Sequence, residues 1–334
     1  MTKSSNNKKL RDAQRNKSDE FYTSLCDIEK EMVYYKDEFR GKSVYCNCDD
    51  SVHSNFVKYF VDNFDELGIK KIFATCYNKD GKGTLFIADD TCRVGVTYEL
   101  YSNGDFRSDE CVSLLNECDI VVTNPPFSLF REYVRLLMDH NKKFIVMGHK
   151  NAITYKEIFP YIKSNRLWLG ASIVSGDREF RVPDDVVTHS PSLRVDKNGN
   201  KFIKVPGVCW FTNVTNNLRN THLNLTCSYS SDQYPKYDNY DAIEVSKTCN
   251  IPNDYFGVMG VPITYLFKYC PEQFEIVGFF NNYNPDTANK EEGQIYGDPV
   301  RIETSVSMFR GPVVKGKAMY FRVLIKRLNI NEKD

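Results

Sequence analysis

The sequence predicts an α/β protein: a mostly parallel central sheet with helices on both faces, followed by a smaller, irregular C-terminal domain. Three observations predict it. Between residues 43 and 170, β-prone runs and helical stripes alternate several times, the pattern of right-handed strand–helix–strand units. One run, "IVVT" at Ile120–Thr123, is β-branched throughout, as suits a strand buried on both faces. Beyond about residue 170 the alternation loosens, and the chain becomes rich in Asn, Ser, Tyr and Pro.

Each element follows from its local pattern. Residues 1–17 carry six bases (Lys3, Lys8, Lys9, Arg11, Arg15, Lys17) against one acid, Asp12, and read as a disordered basic arm. Phe21, Leu25, Ile28, Met32 and Tyr35 recur at three and four, the stripe of an amphipathic helix over Ser18–Phe39. "KSVYCNCDD" is a short strand, "SNFVKYFVDNFDELG" a helix closed by Gly68, and "KKIFATCYN" a second strand. "GTLFIADD" and "RVGVTYELYS" form an inserted hairpin. Then come a helix ("SDECVSLLNE"), the strand "DIVVTN", a helix ("SLFREYVRLLMDH") and a strand ("KKFIVMG"). "TYKEIFPYIKSN" reads as a helix opened by a capping box of Thr154 and Glu157, and "KFIKVPGVCWFTNV" as one or two strands. The domain boundary falls near residue 216, giving an arm at 1–17, a main domain at 18–215 and a second region at 216–334.

Composition narrows the function classes. The 334 residues carry 44 Lys plus Arg and 44 Asp plus Glu, so any polyanion surface must be local. There is no apolar leader and no window of about 18 uncharged apolar residues, which predicts a cytoplasmic protein without membrane contact. The 11 cysteines include no C-x-x-C pair, so reduced thiols and no bound metal are expected.

In parallel sheets, ligands sit beyond the carboxyl ends of the strands, where the strand order reverses. Three such ends carry polar residues that a simple core does not require. In "YCNCDD", Asn47, Asp49 and Asp50 suit a nucleoside, although carboxylates at such a turn also cap helices. In "NGDFRS", Asp105 beside Phe106 suits a purine, although a turn with Asp and Gly reads the same. In "NPPF", Asn124–Phe127, two prolines remove two backbone donors and hold the chain extended, which leaves acceptors for a planar amine. Paired acceptors out of the ring plane favour a nitrogen becoming tetrahedral, and Phe127 can stack on the attached ring. A Pro-Pro helix start with Asn as a turn residue is the structural alternative.

"VVTNPPF" is similar to the fourth motif of the adenine-N6 DNA methyltransferases. "KSDEFYT", "VYCNCDD", "GDFRS", "DIVVTNPPFSLFREY", "AITYKEIF", "PKYDNYDAIEV" and "YFGVMGVPITYLFKYCPEQFEI" together resemble the EcoRI-type modification methylases along nearly the whole chain, as far as "YFRVLIK". The resemblance implies a Rossmann-like class I methyltransferase domain, a C-terminal target-recognition domain and S-adenosyl-L-methionine as cofactor. It assigns Asp19, Phe21, Tyr22 and Thr23 to an N-terminal cofactor motif, and Asn47, Asp49 and Asp50 to the first cofactor loop. Cys46, Cys76 and Tyr77 flank the cofactor at strand ends, and Asp105 with Phe106 takes its adenine. Asn124, Pro125, Pro126 and Phe127 become the catalytic loop, and Trp210 or Phe211, with Phe127, holds the extruded base.

Two departures from the wider class stand out: the first loop lacks the F-x-G-x-G glycines, and the second strand ends in "ATCYN" without a ribose-binding acid. Asp49 or Asp50 is the substitute for that acid.

The implied reaction is methyl transfer to N6 of an adenine flipped out of duplex DNA, as the modification enzyme of a restriction–modification system. The implied partners are double-stranded DNA and a cognate restriction endonuclease encoded nearby, with the enzyme acting as a monomer. Lys8, Lys9, Arg11, Arg15, Lys236, Arg310, Lys315 and Lys317 are the candidate DNA contacts. GAATTC is the recognition sequence the resemblance suggests. Two rival readings use the same loop: a protein-glutamine N5 methyltransferase, in which Tyr usually replaces Phe127, and a catalytically dead DNA-binding scaffold.

Overall fold

The structure is a computed structural model that describes residues 22–182, 192–281, 293–302 and 308–329. These residues form two compact units. The first comprises the chain to Ala152 together with Leu169–Asn216, and the second comprises Ile153–Trp168 with the chain from Asn217 onward. Residues 153–168, which the sequence reading places in the main domain, therefore belong to the second unit.

The first unit opens with α1 (Leu25–Met32), whose cap Ser24 accepts from the Asp27 amide at 3.1 Å. The stripe buries Ile28, Met32 and Tyr35 and tightens into a 3-10 turn at Val33–Phe39. Strand β1 (Ser43–Cys46) is wholly buried. Helix α2 (Asn55–Asp62) starts at the Ser54 cap, and the short α3 (Phe64–Leu67) stops at Gly68, whose φ of 62° is left-handed. Next come β2 (Lys71–Cys76), β3 (Thr84–Asp89), β4 (Val96–Glu99), α4 (Asp109–Glu117), β5 (Ile120–Thr123), α5 (Phe130–Asp139) and β6 (Lys143–His149).

The next helix, α6 (Phe159–Lys163), does not begin at Thr154. A 3-10 turn occupies Lys150–Thr154, Ile158 is the cap residue, and Pro160 in the first helical turn marks the start, since it lacks a donor that a first turn does not use. The chain continues through β7 (Trp168–Leu169), β8 (Arg178–Val182), β9 (Arg194–Val195), β10 (Lys201–Val205) and β11 (Val208–Thr212).

The large sheet has eight strands in the order β4-β3-β2-β1-β5-β6-β11-β7. Only its centre is parallel. β2, β1, β5 and β6 run together, with Val44 opposite both Ile72 and Ile120 and Val121 opposite Phe144. β3 and β4 on one flank and β11 on the other are antiparallel, which corrects the expectation of a mostly parallel sheet. The links from β2 to β3 and from β3 to β4 are too short for a crossover, so those neighbours can only run antiparallel. The order reverses at β1: its helical crossover leads to β2 on one side, while β5 lies on the other. A separate three-stranded antiparallel sheet has the order β8-β10-β9.

The second unit is more regular than its composition suggests. Strands β12 (Lys236–Tyr237), β13 (Tyr240–Glu244), β14 (Val258–Val261), β15 (Phe274–Phe280), β16 (Gln294–Ile295) and β19 (Arg322–Arg327) form a mixed sheet, ordered β12-β13-β14-β19-β15-β16. A hairpin of β17 (Val313–Val314) and β18 (Lys317–Ala318) forms its own two-stranded ladder and is bonded to the turn between β12 and β13, where the Asp238 amide donates to the Val313 carbonyl at 2.8 Å. Glu244 and Arg322 are nearly buried and meet at 2.6 Å, with the Tyr237 hydroxyl also on Glu244. Gly260 makes this possible, because a β-carbon there would lie 2.0 Å from the Tyr237 hydroxyl. Helix α6 packs Phe159 against Phe279 of β15, with centroids 5.6 Å apart, and Arg219 covers Trp168 at 3.6 Å. These contacts assign residues 153–168 to this unit. Among the described residues, no helix is long and apolar enough to cross a membrane.

Candidate functional site

The reversal at β1 directs attention to the carboxyl ends of β1 and β5, and the candidate residues meet there. Asp49 is 8% exposed and uses both carboxylate oxygens: Oδ1 accepts from Ser54 Oγ at 2.6 Å, and Oδ2 accepts from the hydroxyl of Thr123. Thr123 is the last residue of β5, directly before Asn124. The Asp49 amide also donates to the Thr75 carbonyl of β2 at 3.1 Å. Asp49 thus fastens the end of β1 to β5 and the cap of α2 through its carboxylate, and to β2 through its backbone amide. Burial pushes its pKa up to about 6, against the lowering effect of the two hydroxyls.

Asn47, 2% exposed, lies two residues earlier. Its Oδ1 accepts from the hydroxyl of Tyr133, on α5 just beyond the Asn-Pro-Pro-Phe loop. The Tyr133 ring in turn meets Phe106 edge to face, 5.1 Å between centroids. Phe106 is 5% exposed, so its loop belongs to the same cluster through Tyr133. Gly104 holds that loop against β2: its φ is 79°, and a β-carbon would sit 2.3 Å from the Cys76 carbonyl. Asn78 adjacent to Tyr77 donates its amide to the Asn103 carbonyl at 2.8 Å.

Asn124 and Phe127 are half-buried and Pro125 is buried. Pro126 is extended (φ −54°, ψ 123°), and its carbonyl accepts from the Leu129 amide at 3.0 Å, which begins the 3-10 turn at Phe127–Leu129. Phe127 packs on the edge of the main core.

The other predicted residues divide. Asp50 behaves as a turn residue, with Oδ1 on the Val52 amide at 2.8 Å and Oδ2 on His53 at 2.6 Å. Asp105 is paired with Arg107 through Nε at 2.9 Å and Nη2 at 2.7 Å. Cys46 is buried and its thiol pKa is pushed up by that burial, while Cys76 and Tyr77 are half-buried. Thr23 accepts on its carbonyl from Asn55 at 2.7 Å, at the start of α2, and the Tyr22 ring lies 6.0 Å from His53. Asp19, Phe21, Lys8, Lys9, Arg11 and Arg15 lie outside the described residues.

Trp210 and Phe211 require correction. Both are 0% exposed in β11, which lies between β6 and β7, with Trp210 against Phe56 and Phe211 against Phe130. Neither ring has a face open to a base.

Thr123, Ser54 and Tyr133 were not singled out from the sequence. Tyr133 did leave a signal: it falls on the buried stripe Phe130–Tyr133–Val134–Leu137, where a hydroxyl needs a partner. In the second unit, Lys236 pairs with Asp241 at 3.0 Å, Arg310 is half-buried, and Lys315 and Lys317 are exposed on the β17–β18 hairpin. His222, Cys270 and Glu272 bring ligand-type atoms within 4.8 Å of one another, but each has a protein partner: His222 meets Glu272 at 3.2 Å, and the Cys270 thiol donates to the Asn220 carbonyl.

Comparison with known proteins bears out the family resemblance. The family described as adenine-specific methyltransferase EcoRI matches residues 9–99 and 89–328. Type II methyltransferase M.EcoRI of Escherichia coli is 43% identical over 352 residues, covering 99% of this chain and 100% of that protein. Type II methyltransferase M.MgeORF184P of Mycoplasma genitalium is 40% identical, covering 95% and 98% respectively. M.MpnI of Mycoplasma pneumoniae is also 40% identical, covering 94% and 97%. The site at the ends of β1 and β5, and its Asn-Pro-Pro-Phe loop, therefore sit in a chain that belongs to the EcoRI family of adenine-specific methyltransferases.

Proposed function

We propose that this protein methylates N6 of adenine in duplex DNA, with S-adenosyl-L-methionine as donor, and serves as the modification enzyme of a restriction–modification system. The first unit is the Rossmann-like class I methyltransferase domain, and the second is the target-recognition region. The observation that carries the reading is the bond from Thr123 to Asp49, which fixes Asn124 at the point where the strand order reverses.

The site suits the cofactor on one physical ground: Asn47 Nδ2 is a buried donor without a partner among the described residues, in the turn after β1, where a ligand oxygen would satisfy it. Asn47, Tyr77 and Phe106 are the residues that would hold it. When bound, the cofactor supplies a methyl group on a sulfonium, already activated for attack.

The chain's part is binding and orientation. The Asn124 side-chain oxygen and the Pro125 carbonyl accept the two amine hydrogens of the target adenine. This draws the nitrogen lone pair out of the ring plane as the new bond forms. Phe127 stacks on the base and offsets part of the cost of flipping, roughly 1 to 3 kcal/mol per stacked base. No general base is required, since the nitrogen sheds its proton after transfer. Alignment of the reacting atoms supplies much of the remaining acceleration.

The test is incubation with methyl-labelled cofactor and unmethylated genomic DNA, followed by sequencing that maps N6-methyladenine. One defined site should be filled, with GAATTC the first candidate. Asn124→Ala should cut turnover by at least about 100-fold, the scale of losing a transition-state contact, while cofactor still binds. No incorporation by folded wild-type protein would overturn the function, and near-normal turnover of Asn124→Ala would overturn the catalytic assignment.

A further inference from the structure

The polar groups at the end of β1 are unequally occupied. Both oxygens of Asp49 are taken by hydroxyls inside the protein, and both oxygens of Asp50 by the Val52 amide and His53. Asn47 differs. Its Oδ1 accepts from Tyr133 and lies 4.0 Å from the Cys48 thiol, whereas its Nδ2, also buried, meets no acceptor among the described residues. With Oδ1 on the Tyr133 hydroxyl, Nδ2 is the amide atom left over. A buried amide donor left without an acceptor costs about 1 to 3 kcal/mol, so the group calls for a partner, and this one stands in the turn after the strand at which the sheet order reverses.

We infer that Asn47 Nδ2 donates to a ribose hydroxyl oxygen of the bound cofactor and that Tyr133 is the positioning residue that aims it. This rests on the cofactor reading above and goes beyond it by choosing the ribose over the carboxylate and by naming the residue that orients the contact. The ribose is favoured over the carboxylate of the cofactor's amino-acid end by charge. Asp49 and Asp50 follow in the same turn, and a third carboxylate beside them would be repelled, whereas a hydroxyl is neutral. Tyr133 suits the aiming role because it is immobile. It is 0% exposed, its ring is set edge-on against Phe106, and its helix continues directly from the Asn-Pro-Pro-Phe loop. The sugar contact and the catalytic loop are thereby tied to one side chain.

The experiment is titration calorimetry on the full chain with two probes, S-adenosylhomocysteine and adenosine; adenosine keeps the ribose but lacks the carboxylate. Asn47→Asp preserves volume and the acceptor for Tyr133 while removing the donor, and should weaken both probes by about tenfold or more, the worth of one buried hydrogen bond. Tyr133→Phe should weaken both by about threefold to tenfold, with kcat at saturating cofactor falling less than kcat/KM. Wild-type affinity for both probes in Asn47→Asp would overturn the inference. So would a loss confined to S-adenosylhomocysteine that is repeated in Asn47→Ala, which adds no charge to repel its carboxylate; that would assign the donor to the carboxylate. If Asn47→Asp does not fold, equal affinities of Tyr133→Phe and wild type for both probes overturn it. Failure of the wild-type protein to bind S-adenosylhomocysteine would instead remove the cofactor reading itself, and this inference with it.

Discussion

Asp49 illustrates how a residue read as a ligand contact can be structural. In the sequence it is one of two carboxylates after a strand, equally suited to a ribose or a helix cap. The deciding partner, Thr123, lies 74 residues away and becomes a neighbour only because β5 pairs with β1. Asn47 and Asn124 were legible because a polar residue at the end of a buried strand is visible locally. Thr123 was not, and of Tyr133 only the burial was, because their partners depend on strand order. The burial of Asp49 has a consequence for pH. Its pKa is raised from the ordinary 3.8 to about 6, so between those values the folded chain holds a proton that the unfolded chain has lost. Its contribution to stability is thus greatest below about pH 4 and is lost as pH rises to about 6, a change on the order of 2 to 3 kcal/mol. Asn at this position does not titrate. Urea denaturation at pH 4.5 and 7 should show wild type losing stability relative to Asp49→Asn between the two. A gap that stays constant would mean that Asp49 is not raised.

At the scale of elements, the parallel centre was readable and the second sheet was not. "SVYC" and "IVVT" are short apolar or β-branched runs, each buried at all four positions, and such runs announce parallel core strands. In the second unit, β14 pairs with β19 more than 60 residues later, and polar connectors dilute the apolar runs, so composition reads as irregular what pairing makes regular. The same limit explains Trp210 and Phe211: β11 is legible as a strand, but its position between β6 and β7 is not. The β17–β18 hairpin carries a prediction of its own. Lys315 and Gly316 both have positive φ (50° and 72°), the form of a two-residue turn, and their amides donate to the Asp238 carboxylate at 3.1 and 2.7 Å. That rigid tip presents Lys315 and Lys317 to solvent. If they contact DNA phosphates, the double change to alanine should weaken binding across sequences and flatten the dependence of log K on log salt by up to about 1.8. Anisotropy titrations between 50 and 200 mM salt measure it, and an unchanged slope would take the hairpin off the DNA face.

For the whole molecule, two separate cores imply two responses to one ligand. The carboxyl ends of β1, β2 and β5 are joined through Asp49 within the first unit, while the second has its own sheet and the buried Glu244–Arg322 pair. A ligand at those strand ends stabilises only the states in which the first unit is closed, by about 2.7 kcal/mol at 100 times its dissociation constant. Amides of β1 and β5 exchange with solvent only when that unit opens, so S-adenosylhomocysteine at that excess should slow them by about 100-fold. Amides of β14, β15 and β19 should exchange at nearly their unliganded rate, because opening the second unit leaves the ligand site intact. Hydrogen-exchange mass spectrometry resolves the two sets of peptides. Equal protection in both would mean that the chain opens as one cooperative body, which would contradict the proposed division into a cofactor domain and a recognition domain; protection in neither would place the ligand elsewhere.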